Sequence, residues 1–443
     1  MAQDAQSAAL QPSAFGKADE ATVGSGSPFL ERSISGAGGE VLDRALRELQ
    51  ASRLSVAALS DQDRLELVEA CLHGTMLTAS EWVRACCEAK RIPSSSSAVA
   101  EEITAGPLTV IRYLRLLAQT LNALQSSPLP RLPGRLRRSR DGRLWVPVFP
   151  TRGLFYDRVL LPGLHVFARM ASDVTKDNLS EHIACELRQG AGQPGRIALV
   201  LGAGNVSSIP ATDFLMKLFA ESRLVLLKLS PVNDYLGPIF EQAFAPILRA
   251  GYLRIIYGGA DLGERAAFDA RVDEVHLTGS ATTHERLVWG SDASERQNRR
   301  RDGRPRLAKP ITSELGNVSP WIVVPGNYSD RQLRFQAENL AASVVNNAGF
   351  NCVATRVLIT WRHWPQRERF LRLVEAVLRE RFRPERRTIQ DRRNGFARPS
   401  AISRAASAIW AFSRGHCFAT STPTARRSFC SKRRSCPFWR KSR

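Results

Sequence analysis

At 443 residues with 43% apolar side chains, the chain has enough material to bury large cores and is expected to form two or more domains. Its formal charge is +21, yet residues 383–443 alone hold sixteen Lys or Arg against two acids, so the remainder is only modestly basic. No run of about 18 uninterrupted apolar residues is present, which argues against a membrane-spanning helix, and eight scattered cysteines with no metal-binding spacing point to reduced thiols, no metal and a cytoplasmic setting.

Residues 1–45 read as a flexible N-terminal segment, with neither the basic start nor the apolar stretch of a signal peptide. Ser60 to Arg91 and Ala98 to Leu124 carry Leu, Val and Ala at helical spacing and predict two amphipathic helices. Within 135–156, Ser139-Arg140-Asp141-Gly142 separates two strand-like runs, an Asp-Gly hairpin signal. Ile197 to Leu201 reads as a short buried strand that runs into Gly202-Ala203-Gly204-Asn205 and then a helix-like stretch to Ala220. Ligands commonly sit at such strand-turn-helix junctions of α/β sheets.

Farther along, Lys228 lies in the strand-end segment Leu226-Leu227-Lys228-Leu229-Ser230, and Thr278-Gly279-Ser280 forms a turn. Ser291 to Lys309 is polar and strongly basic and reads as an exposed loop. Glu314 lies beside the Gly316 turn, ahead of the apolar strand Trp321 to Val324. Cys352 falls between a helix-like run and the strand Arg356 to Thr360, a junction where a thiol can meet substrate. A thiol and a carboxylate facing one another across a cleft would supply a nucleophile and a base.

Singly, each of these residues also has a structural reading. Cys352 can be a small buried hydrophobe, Glu314 a capping acid, Lys228 a solvated lysine, Asn205 a turn residue, and Gly279-Ser280 a simple turn. Their joint order is more specific. Asn205, Lys228, the Thr278-Gly279-Ser280 turn, the Glu-Leu-Gly run at 314 and the Asn-x-Gly-x-x-Cys run at 347–352 follow the order and spacing of the aldehyde dehydrogenase superfamily. Over roughly residues 50 to 380 the chain resembles an NAD(P)-dependent aldehyde dehydrogenase.

The resemblance implies an α/β fold, with a Rossmann-like dinucleotide-binding domain over 46–313 and a partial catalytic domain over 314–382. It implies that Cys352 attacks an aldehyde carbonyl, that Asn205 and the Cys352 amide hold the oxyanion, and that Glu314 activates the deacylating water. Lys228 would touch the adenosine ribose, and Gly279 with Ser280 would lie under the pyrophosphate of NAD or NADP. The 135–156 hairpin would mediate subunit contacts in a homo-oligomer, with a small aldehyde as substrate and neither nucleic acid nor membrane as partner.

Three departures accompany the resemblance. His284 stands where the family turn usually has a second glycine, the 291–309 stretch is longer than in most members, and the family's Glu-x-Phe-Gly-Pro-like box is not found after Cys352. From residue 383 onward Arg and Ser dominate without helical or strand period, which reads as a truncated or frameshifted frame or a disordered basic tail. Two further functional readings follow: an acylating, coenzyme A-dependent dehydrogenase, against which Glu314 argues, and a non-catalytic remnant with a basic tail.

Overall fold

The computed structural model describes residues 38–127, 129–151, 155–184 and 194–381. The expected tail at 383–443 and most of the expected N-terminal segment lie outside them. At the centre is a five-stranded, all-parallel sheet of β4 (Arg196–Leu201), β5 (Arg223–Lys228), β6 (Leu253–Ile256), β7 (Glu274–Gly279) and β8 (Ile311–Leu315), ordered β6-β5-β4-β7-β8. Its first three strands in sequence run outward to one side and the last two to the other, the order of doubly wound nucleotide-binding sheets. Arg196–Leu201 and Arg223–Lys228 read as near-continuous apolar runs because helices cover both faces, leaving five residues of each strand buried.

On one face, the helix Ala260–Phe268 packs over Leu201 and the stem of Lys228 through Gly263. On the opposite face, the helix Ile209–Leu215 meets β7 through Asp213, which accepts a hydrogen bond from Thr278 Oγ1 at 2.8 Å. Phe214, Phe240, Phe244 and Trp82 extend this core as an aromatic cluster, with Phe214 and Phe244 edge-to-face at 4.8 Å between centroids and Trp82 tilted against Phe240 at 5.0 Å.

The long helix Asp61–Lys90 starts at a capping box in which Ser60 and Asp63 satisfy one another's backbone amides, and it ends at Arg91 in a left-handed conformation. It lies so close to the helix Gly237–Ala243 that a Cβ on Gly74 would sit 2.3 Å from the Ala243 carbonyl oxygen, so only glycine fits there. The expected helix over 98–124 is two helices, Val99–Thr104 and Pro107–Leu124, because Pro107 favours a helix start and disfavours a helical interior.

The 135–156 hairpin forms as β1 (Arg137–Arg138) antiparallel to β2 (Leu144–Phe149), and β3 (Val166–Arg169) adds a third strand to it. Gly142 occupies a positive φ of 84° in the connecting turn, as the Asp-Gly signal requires. A second α/β unit holds β9 (Pro320–Val323) parallel to β10 (Val357–Thr360), joined by the helix Asp330–Val345 and backed by Arg367–Arg381. Its own core is built from Leu333, Leu340, Trp364, Phe370, Val374 and Leu378. The outer face of this two-stranded sheet is apolar and open: Ile322 and Ile359, partners in register, are 65% and 46% exposed.

Three expectations need correction. Residues 38–45 are not part of a flexible segment, since the helix Gly38–Ala51 buries Leu42, Ala45, Leu46 and Leu49 against the sheet. The 291–309 stretch is not a loop throughout: Asp292 caps the helix Ala293–Arg301, in which Arg299 pairs with Glu295 and Arg300 with Glu285. Lastly, Glu314 does not open the second unit; it is the fourth residue of β8 in the first sheet, and the passage between units runs through 316–319.

Candidate active site

Every site residue expected from the sequence maps to the carboxyl edge of the parallel sheet or to the loop that meets it. Gly202 to Asn205 follows β4, Lys228 ends β5, Gly279 ends β7 with Ser280 next, and Glu314 is one residue from the end of β8. The strand order reverses between β4 and β7, and such a switch point opens the crevice where doubly wound sheets take ligands.

Register and alternation divide these residues between the two faces. Leu201 pairs with Lys228 and with Leu277, so Lys228, Leu277 and Gly279 lie on the face covered by Ala260–Phe268. Thr278 pairs with Glu314, so both lie on the face of Asp213. His276, also on that face, hydrogen-bonds Thr312 Oγ1 through Nδ1 at 2.8 Å and ties β7 to β8 beneath Glu314. Lys228 is only 6% exposed, which rules out a solvated lysine, and burial pushes its pKa down against the opposing pull of Asp234. Glu314 is exposed.

Ser280 caps the helix Ala281–Trp289 by accepting from Thr283 N at 3.0 Å. The helix N-terminus therefore sits beside the switch point, where the free amides of its first turn favour an anion. His284, one turn in, is half-buried.

Cys352 is exposed, unlike Cys71 and Cys86, whose burial pushes their thiols up to about 12 and about 11. The thiol follows an unusual turn. Asn347, Ala348 and Gly349 take successive left-handed conformations, with φ of 50°, 51° and 78°. Gly349 adopts this region freely, Asn347 tolerates it, and Ala348 costs roughly 1–2 kcal/mol there.

The structure brings Asn205 against this turn. Asn205 Nδ2 donates to Phe350 O at 2.9 Å, and Asn347 Nδ2 donates to Asn205 O at 2.7 Å. An amide nitrogen carries two N–H donors, so Asn205 keeps one for another acceptor. Arg356 Nη2 holds Gly349 O at 2.5 Å from the other side. Glu314 is not part of this network and is placed by its strand alone.

Sequence reasoning passed over one group. Lys90 Nζ lies 2.8 and 3.0 Å from the two carboxylate oxygens of Glu102 and 3.0 Å from Asn347 Oδ1, while Asn347 N donates to Glu101 at 3.1 Å. Glu102 is 3% exposed. The sequence signal was faint: a lysine at a helix end and a Glu pair on a short helix look like ordinary solvated charges.

Comparison with known proteins is consistent with this geometry. Residues 220–382 match the model of the aldehyde dehydrogenase family. A 167-residue stretch is 27% identical to "Putative aldehyde dehydrogenase FUS7" of Gibberella fujikuroi, covering 37% of this chain and 30% of that protein. Among solved structures, aldehyde dehydrogenase C of Pseudomonas syringae, in complex with NAD+ and octanal, superposes with a TM-score of 0.51 at 14% identity, over 78% of this chain and 56% of its own. KauB of Pseudomonas aeruginosa gives 0.46 at 16% identity, over 77% and 55%. The chain thus spans under a third of FUS7 and about half the length of the solved relatives. The family match stops at residue 382, where the Arg- and Ser-rich composition begins. Through residues 220–382, this chain is similar to the aldehyde dehydrogenase family.

Proposed function

We propose that the chain oxidises an aldehyde to a carboxylic acid with NAD or NADP, using Cys352 as a covalent nucleophile. The observation that carries this reading is the pairing of Asn205 with the Asn347–Phe350 turn, which ties a side-chain amide donor at the carboxyl edge of a doubly wound sheet to a turn ending two residues before the exposed Cys352.

The residues at that edge suit a dinucleotide. Lys228 offers a buried ammonium beside Gly263, and the N-terminus of Ala281–Trp289 offers amides for a diphosphate. The dinucleotide supplies a hydride acceptor, chemistry that protein side chains lack. On the protein side, Cys352 sulfur adds to the carbonyl carbon. The second N–H of Asn205 and the Cys352 amide receive the oxyanion, where one preorganised donor is worth about 3–4 kcal/mol of barrier. Glu314 takes the proton of the water that releases the acyl group from the thioester.

Steady-state formation of reduced cofactor from a panel of aldehydes, with and without coenzyme A, tests the reading. Turnover that needs no coenzyme A and vanishes in Cys352→Ala, at unchanged dinucleotide affinity, is the expected result. Unchanged turnover in Cys352→Ala sinks the mechanism, and an absolute need for coenzyme A moves the chain to the acylating branch.

A further inference from the structure

We infer that Lys90 is a positioning residue for Cys352, acting through Asn347. For its catalytic consequence the inference rests on the aldehyde-oxidation reading; for its structural part it does not.

The turn before Cys352 is one that a free chain would leave, because three consecutive residues are left-handed and two of them carry a Cβ. Such a conformation persists only where its surroundings over-determine it. Here they do so through Asn347, all of whose side-chain polar atoms are engaged: Oδ1 by Lys90, and Nδ2 by Asn205 O and Asn351 Oδ1. Its backbone amide is taken by Glu101. Asn347 is 9% exposed, so a lost partner could not be replaced freely by water.

Lys90 suits this brace and not proton transfer. A lysine ammonium has three N–H donors, and three acceptor atoms surround it: both Glu102 oxygens and Asn347 Oδ1. Glu102 neutralises the buried charge, and the third contact crosses 257 residues of chain to reach the turn. A pair serving only to join the helices Asp61–Lys90 and Val99–Thr104 would need no such third contact.

The full chain is tested as Lys90→Met and, because that variant strands the buried Glu102 carboxylate and could fail to fold, as Lys90→Met/Glu102→Leu. Amide hydrogen exchange is followed by mass spectrometry, with kcat and KM in parallel. In a folded variant, exchange across 346–353 should accelerate at least tenfold while that of β5 and β7 stays at the parent rate. In the same protein, kcat should fall at least tenfold with the dinucleotide KM within twofold. Parent-like exchange at 346–353 overturns the brace. Accelerated exchange with unchanged kcat also overturns the inference, since Lys90 would then be a structural residue alone. An inert parent chain would sink the oxidation reading instead, and exchange would still decide the brace.

Discussion

Asn205 and Asn347 lie 142 residues apart in the chain, yet Asn347 Nδ2 donates to Asn205 O at 2.7 Å while Asn205 Nδ2 reaches across to Phe350 O. One strand-end loop of the doubly wound sheet is thereby stitched to the turn that leads to Cys352. Asn205 thereby shapes the turn, and the proposed reaction would use its spare N–H for the substrate oxyanion.

Asn205→Ala removes both the donor and the tie to Phe350. The expected loss in kcat is about 10²–10³-fold, the range for a missing oxyanion donor. Dinucleotide affinity should stay within a few-fold, because Lys228 and the Gly279–Ser280 turn are untouched. A kcat within threefold of the parent would remove Asn205 from the chemistry.

Glu314→Gln should separate acylation from deacylation. With the carboxylate gone, the thioester should accumulate, so a pre-steady-state burst of reduced cofactor survives while steady turnover falls. Loss of the burst itself would make Glu314 the base for the thiol or a structural residue.

Lys228→Met should cut dinucleotide affinity by roughly ten- to a hundredfold, the weight of one charged hydrogen bond, with little change in kcat at saturating cofactor. Its stability effect has a defined sign. Burial lowers the Lys228 pKa below its ordinary 10.5, so the charged side chain destabilises the fold fully below the depressed value, and this penalty disappears as pH rises toward 10.5. The Met variant should therefore melt at or above the parent temperature at pH 7, with the gain shrinking toward pH 10. A lower melting temperature at pH 7 would show that the lysine has a stabilising partner.

Away from the site, Glu274 joins β7 to Lys217 Nζ at 2.9 Å and Arg223 Nε at 3.0 Å. Burial pushes its carboxyl pKa up, but Lys217 and Arg223 outweigh burial and hold it below the ordinary 4.5. Its stabilisation is thus present above about pH 4.5 and is lost as pH falls through the depressed value. Glu274→Gln should cost about 1–3 kcal/mol at neutral pH by removing one of the two carboxylates that hold Lys217, Glu221 remaining at 2.8 Å, and denaturant melts should show the difference from the parent narrowing in acid. A constant difference down to pH 3 would refute the pairing.

The sequence by itself determined the local elements. Apolar runs marked β4 and β5 because strands buried in a parallel sheet need no polar alternation, and Asp141-Gly142 marked the hairpin because glycine takes positive φ without strain. The order of Asn205, Lys228, Gly279, Glu314 and Cys352 was legible as well, since it lies along the chain. The helix Ala293–Arg301 was missed because its stability comes from the Asp292 cap and from ion pairs and ring contacts with Glu285, Glu295 and Trp289, none of which shows as an apolar stripe. Only the tertiary structure decided which residues meet. Crossovers in the doubly wound sheet carry the Asn205 loop to the Cys352 turn, and side-chain alternation across β4, β5, β7 and β8 sends Lys228 to one face and Glu314 to the other. Lys90, Glu102 and Asn347 were three unremarked polar residues until packing buried them together, because a charge becomes a brace only where water is excluded and its partners are fixed.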